Sequence, residues 1–67
     1  MPYKESFETV MKNIIFAIKA AGYDPKMQLY GYMVTDDARY ITRNRGARQR
    51  IEQLDKAELT QFLQEWF

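Results

Sequence analysis

The chain contains no cysteine and no histidine, and those two absences exclude a large share of protein chemistry. No disulfide can staple the fold, and the usual zinc sites lose their ligands. The commonest nucleophile and the commonest general base are also missing, which leaves catalysis poorly equipped. Glycine occurs only as Gly22, Gly31 and Gly46, too widely spaced to make a phosphate-cradling loop. The apolar run Ile14-Ile15-Phe16-Ala17-Ile18 is far too short to cross a bilayer. The N-terminus, Met1-Pro2-Tyr3-Lys4-Glu5-Ser6, is polar and shows no secretory signal. Asp36 and Asp37 are adjacent, but two carboxylates alone are too few ligands for a metal, and helix capping explains them better. The expectation is a cytoplasmic protein without cofactor, metal or membrane insertion, and not an enzyme.

What is present is unusually greasy for its length. Sixty-seven residues, 46 % of them hydrophobic and ten aromatic, make one domain near the lower size limit for unaided folding. A core of this size supplies roughly 3–5 kcal/mol, and small chains add a staple or a second subunit. With staples excluded, homodimerisation is the expected remedy.

Helical periodicity dominates the pattern. Phe7, Val10, Met11, Ile14, Ile15, Ile18 and Ala21 form one stripe, with Ser6 as N-cap, Lys19 in the last turn and Gly22 as the stop, so residues 6–21 are expected as a helix. Phe16 lies off that stripe and suggests a second covered face. Asp24-Pro25 reads as an N-cap followed by proline at the first helical position, opening a second helix over residues 25–35. Residues 29–34, with aromatic and β-branched members around Gly31, also fit a strand. Gly31 inside a helix costs about 1 kcal/mol relative to alanine, which suggests that close backbone packing requires it. Asp36-Asp37 is placed to cap a short turn through Ala38–Tyr40. A third helix is expected from Asn44, with Ala47, Ile51 and Leu54 inward and the arginines mostly outward. Asp55-Lys56-Ala57-Glu58 has capping-box spacing, and Leu59, Phe62, Leu63, Trp66 and Phe67 then form an amphipathic stripe. The predicted fold is all-α, a compact bundle of four to five short helices over residues 1–67.

Charge is segregated. Residues 39–50 hold five arginines, Arg39, Arg43, Arg45, Arg48 and Arg50, and no acid, while the other residues carry five lysines against nine Asp and Glu. Arginine's planar fork suits phosphates and carboxylates, so this segment is the candidate anion or partner-binding site. A solvated helix face paired with acidic neighbours is the plain alternative. A third reading makes the helix after Asn44 a nucleic-acid recognition helix, against which the domain as a whole is not strongly basic.

Tyr23, Tyr30, Tyr32 and Tyr40 read as core and dimer-interface packing. Only Tyr40, between Arg39 and Arg43, has the basic neighbourhood of a base-stacking platform. Ser6 and Thr9 are candidate phosphorylation sites, since a phosphate at a helix N-terminus meets the dipole and unpaired N–H groups. A capping Ser6 and an exposed Thr9 are the plainer reading.

Gly22-Tyr23-Asp24-Pro25, Gln28, Gly31-Tyr32, Tyr40-Ile41, Arg43 and Ala47-Arg48 with Ile51 resemble the IreB family of small regulatory phosphoproteins, over about residues 17–63. The resemblance implies a compact helical homodimer of regulatory role, substrate of a transmembrane Ser/Thr kinase that senses cell-wall material. Where that family reads Gly-Asp-Pro-Ala-Tyr, this chain has Asp36-Asp37-Ala38-Arg39-Tyr40, and Tyr-Asn-Asp-Ala-Arg becomes Asn44-Arg45-Gly46-Ala47-Arg48. Arg39 and Arg45 are therefore peculiar to this chain. The family's phosphoacceptor threonines lie in an N-terminal tail, and here no threonine precedes Thr9. The resemblance thus implies a divergent member that keeps the fold without the family's phosphoacceptor tail. Together with the charge segregation it leads to the expectation of an acidic or phosphorylated protein partner bound through the arginines.

Overall fold

The computed structural model describes residues 6–66. In chain order they form α1 (Phe7–Ala20), α2 (Pro25–Thr35), a 3₁₀ turn at Ala38–Tyr40, a second at Asn44–Gly46, α3 (Ala47–Glu52) and α4 (Lys56–Trp66). The fold is all-α. Residues 29–34 lie inside α2, so the strand alternative falls.

Local chemistry sets most of the helix ends. The Ser6 hydroxyl accepts the Thr9 N–H at 3.2 Å, and Glu8 and Lys19 sit at the ends of α1 that suit their charges. Asp24 accepts the Lys26 N–H at 3.0 Å, with Pro25 at the first position of α2. At the far end of α2, Thr35 donates its hydroxyl to the Gly31 carbonyl at 2.7 Å and accepts the Asp37 N–H at 3.2 Å. Asp36 closes the helix in the left-handed region, φ 59°. Asp37 then caps the first 3₁₀ turn, as expected, by accepting the Arg39 N–H at 2.9 Å. Asp55 opens α4 by accepting the Glu58 N–H at 3.2 Å. Phe67, the end of the expected stripe, lies outside the described residues.

The third helix departs from expectation. It begins at Ala47 rather than Asn44, because Arg45 (φ 53°) and Gly46 (φ 73°) are both left-handed and interrupt any continuous helix. It ends at Glu52, leaving Leu54 beyond it.

One core unites the elements. Met11, Ile14, Ala17 and Ile18 of α1 are buried against Leu29 and Tyr32 of α2, Ile41 of the connection, Ala47 and Ile51 of α3, and Leu59 and Leu63 of α4. Each fully buried aliphatic side chain contributes about 1.5–3 kcal/mol relative to exposure. Phe7 and Phe62 meet edge to face at 5.8 Å, and Trp66 lies 6.0 Å from Phe62, closing the α1–α4 edge. Lys56 ion-pairs with Asp36 and places its Nζ 4.5 Å over the Tyr32 ring, fastening the start of α4 to the end of α2. Burial, reinforced by the charge of Glu52, pushes the Tyr32 phenol above its ordinary pKa.

Candidate functional site

The connection between α2 and α3 is irregular but pinned at several points. Gln28 of α2 accepts the Thr42 N–H at 2.9 Å. Asn44 donates its side-chain amide to the Ala17 carbonyl at the end of α1, at 2.8 Å. Arg48 of α3 reaches back, donating Nε to the Ile41 carbonyl at 2.9 Å and Nη2 to the Arg39 carbonyl at 3.4 Å. Ile41 is buried in the core, and the Tyr40 ring lies directly on Gly31. The close approach expected at Gly31 is real, but a side-chain ring makes it rather than a second backbone. Polar clamps from three directions thus give a loop-like segment a definite shape.

That shape creates a groove of about 410 Å³. Arg39, Arg43 and Arg48 line it together with Tyr23, Tyr40, the Gln28–Thr42 contact and Asn44. Arg39 is 84 % exposed at its side chain and is held by Asp37: Nε lies 3.1 and 3.0 Å from the two carboxylate oxygens and Nη2 lies 2.7 Å from Oδ2. The Arg43 side chain is exposed and makes no hydrogen bond or ion pair with the described residues. Arg43 and Arg48 also line an adjoining depression of about 310 Å³ with Gly46 and Gln49.

The five arginines do not form one outer flank. Arg45 turns to a separate hollow with Asn13, Phe16 and Arg50, and its guanidinium stands 5.0 Å over the Phe16 ring. Arg48 and Arg50 are half-buried rather than outward. The cause is the left-handed pair at Arg45-Gly46, which rotates the residues before α3 away from the register of a continuous helix. The recognition helix imagined after Asn44 shortens to six residues, about 9 Å of axis.

Electrostatics in the groove are lopsided. The hydrogen bonds from the Arg39 side chain, then from its backbone N–H, hold the Asp37 carboxyl down at about 2. The same contact raises the Arg39 pKa. Asp37 is the carboxylate that ion-pairs with Arg39. Ser6 and Thr9 are both exposed, with the Ser6 hydroxyl donating to Thr9 Oγ1 at 2.9 Å. They stand at the start of α1, whereas the groove adjoins its end near Ala17, about 12–17 Å along the axis.

A second surface feature faces away from the core on α2. Met27, Tyr30 and Val34 are 72, 55 and 61 % exposed and recur at i, i+3 and i+7, with Tyr23 four residues earlier. The opposite face of the same helix buries Pro25, Leu29 and Tyr32. A broad depression of about 770 Å³ is merely the open outer side of α4 between Lys56 and Glu65 and gathers no converging groups. Among the described residues no group of three or more acids gathers as a metal site, and no helix is long and apolar enough to cross a membrane.

In the sequence Gln28 is part of a pattern and Tyr23 reads as packing; their places in the groove come from contacts that no local spacing reveals. The family model described as IreB regulatory phosphoprotein matches residues 2–67, a longer stretch than the pattern at residues 17–63.

Proposed function

The chain belongs to the IreB family of regulatory phosphoproteins, and from that premise we propose a non-enzymatic, dimeric module that docks an acidic or phosphorylated protein on the groove around Arg43. The observation that carries this reading is the Arg43 guanidinium, permanently charged, exposed, without an ion-pair partner among the described residues, and lining one groove with two further arginines. A cation left without a counter-charge beside a shaped groove favours an anionic partner. Arg39 and Arg48 complete the surface, while Arg45 and Arg50 serve a different hollow.

Dimerisation is supported by α2. A helix apolar on opposite faces is ordinarily covered on both, and within Pro25–Thr35 only Lys26 carries charge. A second copy laying its own α2 across Met27, Tyr30 and Val34 removes the exposed stripe by symmetry. The same proposal includes kinase-linked control in cell-envelope stress signalling, with the cytoplasm as the place of action; the family's description as regulatory phosphoproteins supports the regulatory part. Ser6 and Thr9 are the accessible hydroxyls at the chain's start for that control.

The test is comparative capture. Partners cross-linked in cells to the wild-type chain are expected to disappear with Arg43→Ala and to persist with Gln61→Ala on the outer face of α4. Equal capture by Arg43→Ala removes the groove from the interaction. The nucleic-acid alternative predicts salt-sensitive retardation of duplex DNA, and the same Arg43→Ala protein serves as its control.

A further inference from the structure

We propose that the groove is a phosphate site occupied in the resting protein by its own carboxylate: Asp37 fills the Arg39 fork, and a phosphorylated side chain of the partner binds by displacing it. This deepens the reading above and rests on it. Both Asp37 oxygens face Nε and Nη2 of Arg39 in a two-pronged contact, the same geometry that a guanidinium offers to two oxygens of a phosphate. The contact is therefore an internal imitation of the ligand.

Three features make displacement practicable. The pair is at the surface, with side chains 84 and 31 % exposed, where water and salt weaken such contacts. Asp37 keeps a second task after release, because its Oδ1 also caps the 3₁₀ turn through the Arg39 N–H. The Arg43 side chain, on the same groove, has no hydrogen-bond or ion-pair partner among the described residues to lose.

The arrangement also selects between the two classes of anion. A partner carboxylate would replace Asp37 with an equivalent group and gain little at Arg39. A phosphate monoester carries close to two charges and three acceptor oxygens, so it can engage Arg39 and Arg43 together. Tyr23 and Tyr40, half-exposed along the groove, offer hydroxyl and ring contacts to the chain that bears it.

The experiment titrates the whole protein with O-phospho-L-threonine at fixed ionic strength, following the Arg Nε–H resonances, with acetate as the comparison anion. Phosphothreonine is expected to move the Arg39 and Arg43 signals together, and acetate is not. Asp37→Asn, whose amide oxygen keeps the cap, is expected to bind at least about threefold tighter, within reach of the modest strength of an exposed ion pair. Arg43→Ala is expected to bind at least about threefold weaker. Asp37→Ser, which also retains a capping oxygen, provides the second variant should Asn disturb the turn. If phosphothreonine binds at Arg43 but neither Asp37 variant binds tighter, the displacement is overturned and the docking groove stands. If the probe moves neither arginine in any of these proteins, the groove is no phosphate site, and this inference falls. The capture comparison then decides separately whether a carboxylate-bearing protein docks there.

Discussion

The Tyr40 ring lies so close over Gly31 that a β-carbon at that glycine would stand 2.6 Å from Cδ1 and 3.0 Å from Cγ. Those atoms are at the base of the ring, so a small swing of the tyrosine tip gives no relief. Gly31→Ala gains about 1 kcal/mol of helix propensity yet must move the ring or the backbone, typically at 1–3 kcal/mol. The expected result is a net loss on the order of 1 kcal/mol in urea denaturation. Adding Tyr40→Ala should reverse the sign of the Gly31→Ala effect. A double mutant showing the same penalty at Gly31 as the single one would remove the ring as its cause.

Among the described residues two non-glycines adopt left-handed backbone, Asp36 at φ 59° and Arg45 at φ 53°. Such a conformation costs roughly 1–2 kcal/mol for an ordinary L-residue and less for Asn or Asp. Arg45→Asn should therefore be more stable than Arg45→Ala by about 1 kcal/mol, although alanine is the better helix former. At position 36, Gly should exceed Ala by a similar margin, since both lose the Lys56 ion pair and only Gly relieves the backbone. Paired thermal melts of the four variants decide it; alanine equal to asparagine at 45 contradicts the assigned backbone.

How far the fold was legible follows from where its determinants lie. Ser6, Asp24-Pro25, Gly22, Asp37 and Asp55 act within a few residues of themselves, so their capping roles could be read directly from order and spacing. The inward stripes of α1 and α4 were equally plain. The start of α3 is not legible, because arginine gives no sign of a left-handed backbone and periodicity alone places the helix start at Asn44. The site was legible as a charge count and not as a shape. Gln28 meets Thr42 across 14 residues and Asn44 meets Ala17 across 27. Arg48 spends its donors on main-chain carbonyls, a use of guanidinium that charge patterning cannot distinguish from anion binding.

Arg48 is accordingly expected to behave as a clamp. Arg48→Lys keeps the charge but cannot present Nε and Nη2 to the Ile41 and Arg39 carbonyls in a planar fork. A stability loss of about 1–3 kcal/mol is expected, with faster hydrogen exchange at the Thr42 amide. Gln28→Ala should accelerate the same amide by removing its acceptor. Unchanged Thr42 exchange in Arg48→Lys would make the residue a surface cation after all.

The Asp37–Arg39 contact sets a definite acid response. The folded carboxyl titrates at about 2 against an ordinary 3.8, so the folded state favours the charged form. Its stabilising contribution is full above pH 4 and is lost as the pH falls through about 2. Carbon-detected titration of the Asp37 carboxyl should give a midpoint near 2, with the Arg39 Nε–H signal changing over the same interval. Arg39→Ala should move the midpoint upward. A wild-type midpoint at the ordinary value would mean that the pair does not form in solution.

The exposed face of α2 gives the sharpest test of assembly. Val34 is 61 % exposed, so Val34→Glu places a carboxylate in water within a single copy and should leave helix content and urea stability of the isolated copy nearly unchanged. In a dimer that covers Met27, Tyr30 and Val34, the same carboxylate is buried without a partner. That penalty, commonly several kcal/mol, weakens association on the order of a hundredfold or more. Sedimentation across a concentration series should therefore show a dimer for the wild type and a monomer for Val34→Glu. Gln61→Glu, on the outer face of α4, should remain dimeric, since it adds the same charge elsewhere. If the wild type sediments as a monomer at a hundred micromolar, on the order of the weakest dimers with a physiological role, the stripe is not a self-association surface. If instead it dimerises and Val34→Glu does so equally, the two copies meet through another face, and the exposed side of α2 is left for a different protein.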